Sequence, residues 1–283
     1  MHRIGIFINT DSITAALFDA KFDKLSEKTS PLATADASEA ASSVCAFIDS
    51  MLCESSITKE SVASVGIANG NTCLDGNSVA EKVQKLTAIP TLAESAIGAR
   101  ALGEAYLAGD KSYLVMISVG EHVDSALVIE KKLFKGSCGS AGVVGHMVIN
   151  AGGLQCSCGR RGCFDAYASL EGLRYFAKEA GVDGADTISA SELFSMSTDT
   201  ARAAQKSYTD SLAAAITNVI NFFQPNEFVL EGVFEEAGDA LMNPMMDIVL
   251  REQYSRSMSN KANVRFASDP VQSALLGAAL LLR

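Results

Sequence analysis

The sequence predicts an α/β chain built as two similar lobes facing each other across a cleft. A strand–turn–strand–turn–strand pattern opens the chain at Ile4 and returns at Tyr113, and helical material follows each copy. A duplicated unit of this kind covers its own sheet with its own helices and faces its copy. Composition agrees: of 283 residues 48% are apolar and 20% charged, as in an ordinary globular protein with a substantial core. The pattern leaves one alternative open, a single mixed sheet with two coincidental hairpins.

Taken in order, Ile4 to Ile8 is an apolar run, Asn9 to Ser12 a polar turn and Ile13 to Phe18 a second run, with a third strand expected after Lys24. Ala37 to Cys53 carries apolar residues at helical spacing, and Asp36 or Ser38 is placed to cap it. Val62 to Ala68 reads as a buried strand, and Ala93 to Leu107 as a helix that Gly109 closes. In the second copy Tyr113 to Val119 is a strand, Gly120 to Asp124 a turn and Ser125 to Ile129 a strand, before Lys131-Lys132 turns into Leu133-Phe134. Gly136 to Gly162 is rich in glycine and cysteine and has little periodicity. Helices are predicted at Tyr167 to Ala180, Ser191 to Met196 and Thr200 to Phe223, the last stopped by Pro225. Glu227 to Leu230 is a short strand, and Phe234 to Tyr254 a helix that Pro244 should kink or split. Val264 to Ala267 precedes a closing helix that starts at Asp269-Pro270, proline being suited to a first helical turn.

A formal charge of −10 argues against a nucleic-acid surface, because such surfaces neutralise phosphates with Lys and Arg. No apolar run reaches the roughly 18 residues of a membrane span. Met1-His2-Arg3-Ile4-Gly5 enters a strand pattern without the features of an export signal, so a cytoplasmic protein with reduced thiols is expected. Of seven cysteines, Cys45, Cys53, Cys73 and Cys138 stand apart and read as small core residues. His146, Cys156, Cys158 and Cys163 instead offer one imidazole and three thiols within a single glycine-rich segment. That set suits a tetrahedral zinc with no position open to water, hence a structural ion. Gly159 and Gly162 allow the tight backbone that brings Cys158 and Cys163 to one ion. The segment has few apolar residues, so the metal would supply its folding energy directly.

Gly142-Val143-Val144-Gly145-His146, followed by Cys156-Ser157-Cys158-Gly159-Arg160-Arg161-Gly162-Cys163-Phe164-Asp165-Ala166-Tyr167-Ala168-Ser169, resembles the signature of the ROK family of repressors, open reading frames and kinases. That signature runs Gly-Glu-x-Gly-His, then Cys-x-Cys-Gly-x-x-Gly-Cys-x-Glu, then Ala-Tyr-x-Ser. Weaker collinear matches at Ile13 to Asp19, Leu102 to Glu104, Asn218 to Leu230 and Ala274 to Ala279 extend the resemblance over essentially the whole chain. It implies an actin-like, ribonuclease H-like fold of two lobes around a central cleft. The implied lobes are residues 1–112, with the closing helix 269–283 packed back on them, and residues 113–268 with the zinc site. It also implies a homodimer and a sugar or other small ligand. The family's repressors carry a helix-turn-helix ahead of this domain; here Met1 starts at the first strand, so neither that module nor direct nucleic-acid binding is expected.

The resemblance also sets out what a sugar kinase of this family needs. Phosphoryl transfer requires backbone amides around the ATP phosphates, magnesium, and a carboxylate that takes the hydroxyl proton. Where the kinases read Asp-x-Gly-Gly-Thr, this chain has Phe7-Ile8-Asn9-Thr10-Asp11, whose side chains obstruct the approach of phosphate to backbone. Where they read Gly-Thr-Gly-x-Gly-x-Gly, it has Gly120-Glu121-His122-Val123-Asp124-Ser125-Ala126, with two added carboxylates that repel a triphosphate. Glu121, His122 and Asp124 read as a solvated turn. The third loop, a glycine pair, reads Glu231-Gly232. The base position falls on Ala96, with Glu94 the nearest carboxylate, and losing a base costs roughly 10²–10⁴-fold. No catalytic residue is therefore expected, and ATP–magnesium is not expected as a cofactor.

Of the sugar-contacting set, a glutamate is replaced by Val143, His146 is kept, the last glutamate is shortened to Asp165, and Gly70 matches a loop glycine. The reading is a carbohydrate- or small-ligand-binding or regulatory protein that has lost its kinase activity. The alternatives are an ATP-dependent kinase of glucose or N-acetylhexosamines, and the effector domain of a regulator lacking its helix-turn-helix. Ser12 to Asp19 looks more like the repressors than the kinases.

Overall fold

The structure, a computed structural model, describes residues 1–283 except 33, 35, 71–72, 110–112, 140 and 255–261. The chain forms two compact units: Met1–Asp110 with Glu130–Leu133 and Ser268–Arg283, and Lys111–Ile129 with Phe134–Ala267. The expected boundary at residue 112 lies outside the described residues.

In the first unit β1 (His2–Ile8) pairs antiparallel with β2 (Ser12–Phe18), which pairs with β3 (Lys24–Pro31). On its other side β1 runs parallel to β4 (Val62–Asn69), and β4 to β5 (Thr91–Ser95), giving the order β3-β2-β1-β4-β5. Strand alternation divides the side chains between two layers. Ile4, Ile6, Ile8, Val65 and Ile67 pack into one core with α1 (Ala37–Glu54) and α2 (Gly76–Thr87). On the opposite face Gly5 and Gly66 admit the backbone of α10 (Pro270–Leu280), which also packs on α3 (Ala96–Leu107). A Cβ at Gly66 would lie 1.8 Å from the Ala278 carbonyl oxygen, so only glycine allows this approach.

Caps define the helix ends. Asp36 accepts from the N–H groups of Ser38 and Glu39, and Asp269 from those of Val271 and Gln272 with Pro270 in the first turn. One predicted helix begins later than expected. Thr91–Ser95 is a strand paired with β4, and α3 starts only at Ala96, where the Ser95 hydroxyl accepts the Gly98 N–H at 3.3 Å.

The second unit repeats the plan. β6 (Tyr113–Val119) pairs antiparallel with β7 (Val123–Ile129), and β8 (Lys132–Leu133) follows. β6 is parallel to β9 (Glu227–Gly232), and β9 to β10 (Asn263–Phe266), for an order of β10-β9-β6-β7-β8. Counted from β6, this is the order of the first sheet, which excludes the single-sheet alternative. The helices are α4 (Phe164–Ala168), α5 (Leu170–Glu179), α6 (Ala190–Ser195), α7 (Asp199–Phe223), α8 (Val233–Ala237) and α9 (Asp239–Glu252). Their core includes Phe164, Tyr208, Phe228 and Phe234.

Two predicted helices are broken. Tyr167 to Ala180 is interrupted at Ser169, whose hydroxyl caps α5 while the Tyr208 hydroxyl donates to the Ala168 carbonyl. Phe234 to Tyr254 breaks at Gly238, at φ 55°, whereas Pro244 stays inside α9. Of the four scattered cysteines only Cys45 packs on the core, half-buried; Cys53, Cys73 and Cys138 lie on the surface, Cys53 on the outward side of α1. Among the described residues no helix is long and apolar enough to cross a membrane.

Candidate metal centre

The glycine- and cysteine-rich segment forms a knuckle closed by its own backbone. The Cys156 N–H donates to the Arg160 carbonyl at 2.9 Å, and Gly159 back to Cys156 at 3.0 Å. Gly162 donates to Leu154 at 2.7 Å, and its carbonyl accepts from Ile149 at 2.8 Å. Gly159 and Gly162 have φ of 87° and 84°, a region that other residues rarely adopt. From α4 the Tyr167 hydroxyl reaches into the knuckle and accepts from the Leu154 N–H at 2.8 Å and from Asn150 Nδ2 at 3.0 Å. The sequence singles out Tyr167 only as part of a motif; its role as an internal brace emerges from the fold.

This backbone gathers His146, on a 3-10 turn at Val144–His146, with Cys156, Cys158 and Cys163. Their ligand atoms all lie within 4.8 Å of one another. Cys158 Sγ is 3.7 Å from Cys163 Sγ, and Cys156 Sγ is 3.6 Å from His146 Nδ1. Two thiolates each ~2.3 Å from a tetrahedral ion lie roughly 3.8 Å apart, so the Cys3His set fits a zinc-sized ion. Cys156 and Cys163 are buried, His146 is half-buried and Cys158 is exposed. Burial, reinforced by the neighbouring thiols, pushes Cys163 up to about 12, while the Arg160 N–H holds Cys158 below the usual thiol range. A cation inverts the first effect, because a coordinating thiol is deprotonated.

Asp165 sits on α4, two residues after Cys163, and only 6% of it is exposed. Its Oδ1 accepts the Val123 N–H at 2.7 Å, and its Oδ2 lies 3.6 Å from His122 Nδ1. The carboxylate thus braces the turn between β6 and β7, on whose surface Glu121, His122 and Asp124 are exposed. Nothing in the sequence announces this link, since Asp165 finds its main partner in a backbone amide.

The remaining predicted positions are distributed over both units. Gly70 follows β4 in the first unit and donates its N–H to the Ile8 carbonyl at 2.8 Å. Ala96 is the first residue of α3, and Glu94 Oε1 accepts from the Ser95 N–H at 2.9 Å and from its hydroxyl at 3.1 Å. At the first turn the Thr10 N–H donates to Asn9 Oδ1 at 2.9 Å. After β9 the Gly232 N–H donates to Glu235 Oε2 at 3.2 Å. Val143 is exposed.

A sequence model of the ROK family matches residues 3–283. Among curated proteins, a putative xylose repressor of Caldicellulosiruptor sp. is 29% identical over 187 residues, 61% of this chain and 47% of that protein. A glucokinase of Halalkalibacterium halodurans is 30% identical over 183 residues, 58% of this chain and 55% of that protein. The chain spans about half the length of these relatives. Among solved structures, a ROK hexokinase from Thermus thermophilus superposes with a TM-score of 0.85 at 21% identity, over 99% of this chain and 97% of the other. A ROK glucokinase from Streptomyces griseus in complex with glucose and AMPPNP gives 0.70 at 22%, over 99% of both chains. These likenesses show the fold, the actin-like, ribonuclease H-like α/β architecture.

Proposed function

The chain belongs to the ROK family, and from that premise we propose a carbohydrate- or small-ligand-binding regulatory protein that does not transfer phosphate. The observation that carries this reading is the state of three backbone amides. At each of the three positions where the family's kinases hold phosphate, an N–H donates to an oxygen of this chain: Thr10 to Asn9, Val123 to Asp165 and Gly232 to Glu235. A phosphate cradle needs such donors free and aimed at the ligand. Ala96 supports the same reading, because a methyl group takes no proton.

In the second unit His146 and Asp165 are the proposed ligand contacts, Asp165 through the oxygen it does not give to Val123; Gly70 is proposed separately as a ligand contact of the first unit. The Cys3His set would hold zinc as a structural ion; with four protein ligands it supplies folding energy to the knuckle and no open coordination site.

Calorimetric titration with ATP–magnesium, alone and with glucose, N-acetylglucosamine or N-acetylmannosamine present, tests the proposal. Silence with ATP in every arm is expected, with heat from a sugar alone. Millimolar or tighter ATP binding, strengthened by one sugar, would overturn the proposal and put the second reading first. That reading is an ATP-dependent hexose kinase, and its support is the 30% identity to a glucokinase. The similarity to xylose repressors favours a third role, the effector domain of a regulator, which shares sugar binding without ATP.

A further inference from the structure

Val123, the first residue of β7, is the buried residue of the segment 120–124 that turns from β6 into β7, and both arms of the Cys3His cluster grip it. From the arm of His146, the neighbouring Gly145 packs so close that a Cβ there would lie 2.6 Å from the Val123 carbonyl oxygen and 3.1 Å from its Cβ. From the arm of Cys163, Asp165 Oδ1 takes the Val123 N–H at 2.7 Å and Oδ2 faces His122 Nδ1 at 3.6 Å. The Leu170 N–H, at the start of α5, donates to the Gly120 carbonyl at 2.8 Å. The arms are tied to each other by the Phe164 N–H on the Met147 carbonyl at 2.8 Å and by a bridge between Val148 and Cys163.

We propose that Asp165 is a positioning residue that couples metal occupancy to the conformation of the turn 120–124. A cation that draws His146 and Cys163 to one point closes both grips on Val123, and its loss loosens them together. Metal loading then governs how Glu121, His122 and Asp124 are presented. The inference rests on reading the cluster as a metal site, and its test separates the two.

Zinc content of the full chain is measured first. A chain that takes up no zinc removes the metal reading and the coupling with it, whereas a chain that binds zinc with an indifferent turn removes the coupling alone. Amide hydrogen exchange followed by NMR then reports the turn. On chelation the Val123 amide should exchange about tenfold faster or more, as losing one local hydrogen bond implies, while amides of β1 and β4 hold. Zinc-loaded Asp165→Ala, which has no acceptor for the Val123 N–H, should show that fast exchange with metal still bound, and Asp165→Glu should recover part of the protection. The chain has three histidines, so the His122 ring resonance is readily followed. It should move on chelation in the native chain and stay put in Asp165→Ala, with His2 unmoved in both.

Protection at Val123 that survives chelation, or that zinc-loaded Asp165→Ala retains, overturns the coupling. If chelation unfolds β6 and β9 as well, the zinc-loaded variants decide: fast Val123 beside a protected β9 supports the proposal, and uniform protection sinks it. If Asp165→Ala does not fold, the chelation arm decides.

Discussion

The thiols of the cluster respond to pH in opposite senses with and without a cation. In the metal-free chain burial raises Cys163 from 9.0 to about 12, so the folded state holds that proton more tightly than the unfolded chain. Its contribution to stability is whole below the unfolded value of 9.0 and is lost as pH climbs toward about 12. In the loaded chain protons compete with the cation for the thiols, and affinity falls as pH falls. Chemical denaturation with and without zinc, between about pH 6 and 9, should show the stabilisation by zinc growing with pH. A constant difference would mean that the thiols are not ligands. The four candidate ligand positions are legible in the sequence because a metal would dictate residue types and a loop that can close. The Asp165–Val123 bond is not, because its acceptor and donor are 42 residues apart and the donor is main chain, which every residue but proline carries.

Among the elements, α10 makes the closest approaches. A Cβ at Gly277 would lie 1.6 Å from the Ala99 carbonyl oxygen in α3, a contact that only backbone movement could relieve. Gly277→Ala should therefore cost about 1–3 kcal/mol or more in denaturant melts. At Gly120 a Cβ meets nothing within 4 Å, so Gly120→Ala should be near neutral. Equal effects would mean that the interface yields. Elements with two agreeing signals could be read from sequence, as with α1, whose apolar spacing follows a capping Asp36, and α10, which follows Asp269-Pro270. β5 was hidden because Ala93 and Glu94 suit a helix; pairing with β4 overrides that local preference. α2 had its signal, Asp75 as a cap and Val79, Ala80 and Val83 on one face, but polar residues between them dilute the periodicity. Gly238 outranks Pro244 as a helix breaker here because the chain passes through φ 55° at the glycine, whereas the proline removes a single N–H from a helix already begun.

At the scale of the molecule, the two sheets share one strand order, and the repeat that reveals it is visible in sequence because each copy opens with the same hairpin. Retaining a fold does not retain its chemistry. In this family's kinases phosphoryl transfer requires a base and a cradle of free amides to act together. Ala96, which the resemblance sets at the base position, lies in the first unit, while two of the three engaged amides, those of Val123 and Gly232, lie in the second. On the proposed function, supplying one part alone should therefore not produce the reaction. Ala96→Asp supplies a carboxylate at the base position but leaves Thr10, Val123 and Gly232 bonded to the chain's own oxygens. In a coupled assay of hexose-dependent ADP formation, this variant should stay at the background of the native chain. If it turned over, ATP must reach the loops despite those bonds, because a base accelerates transfer only from a nucleotide that is already held.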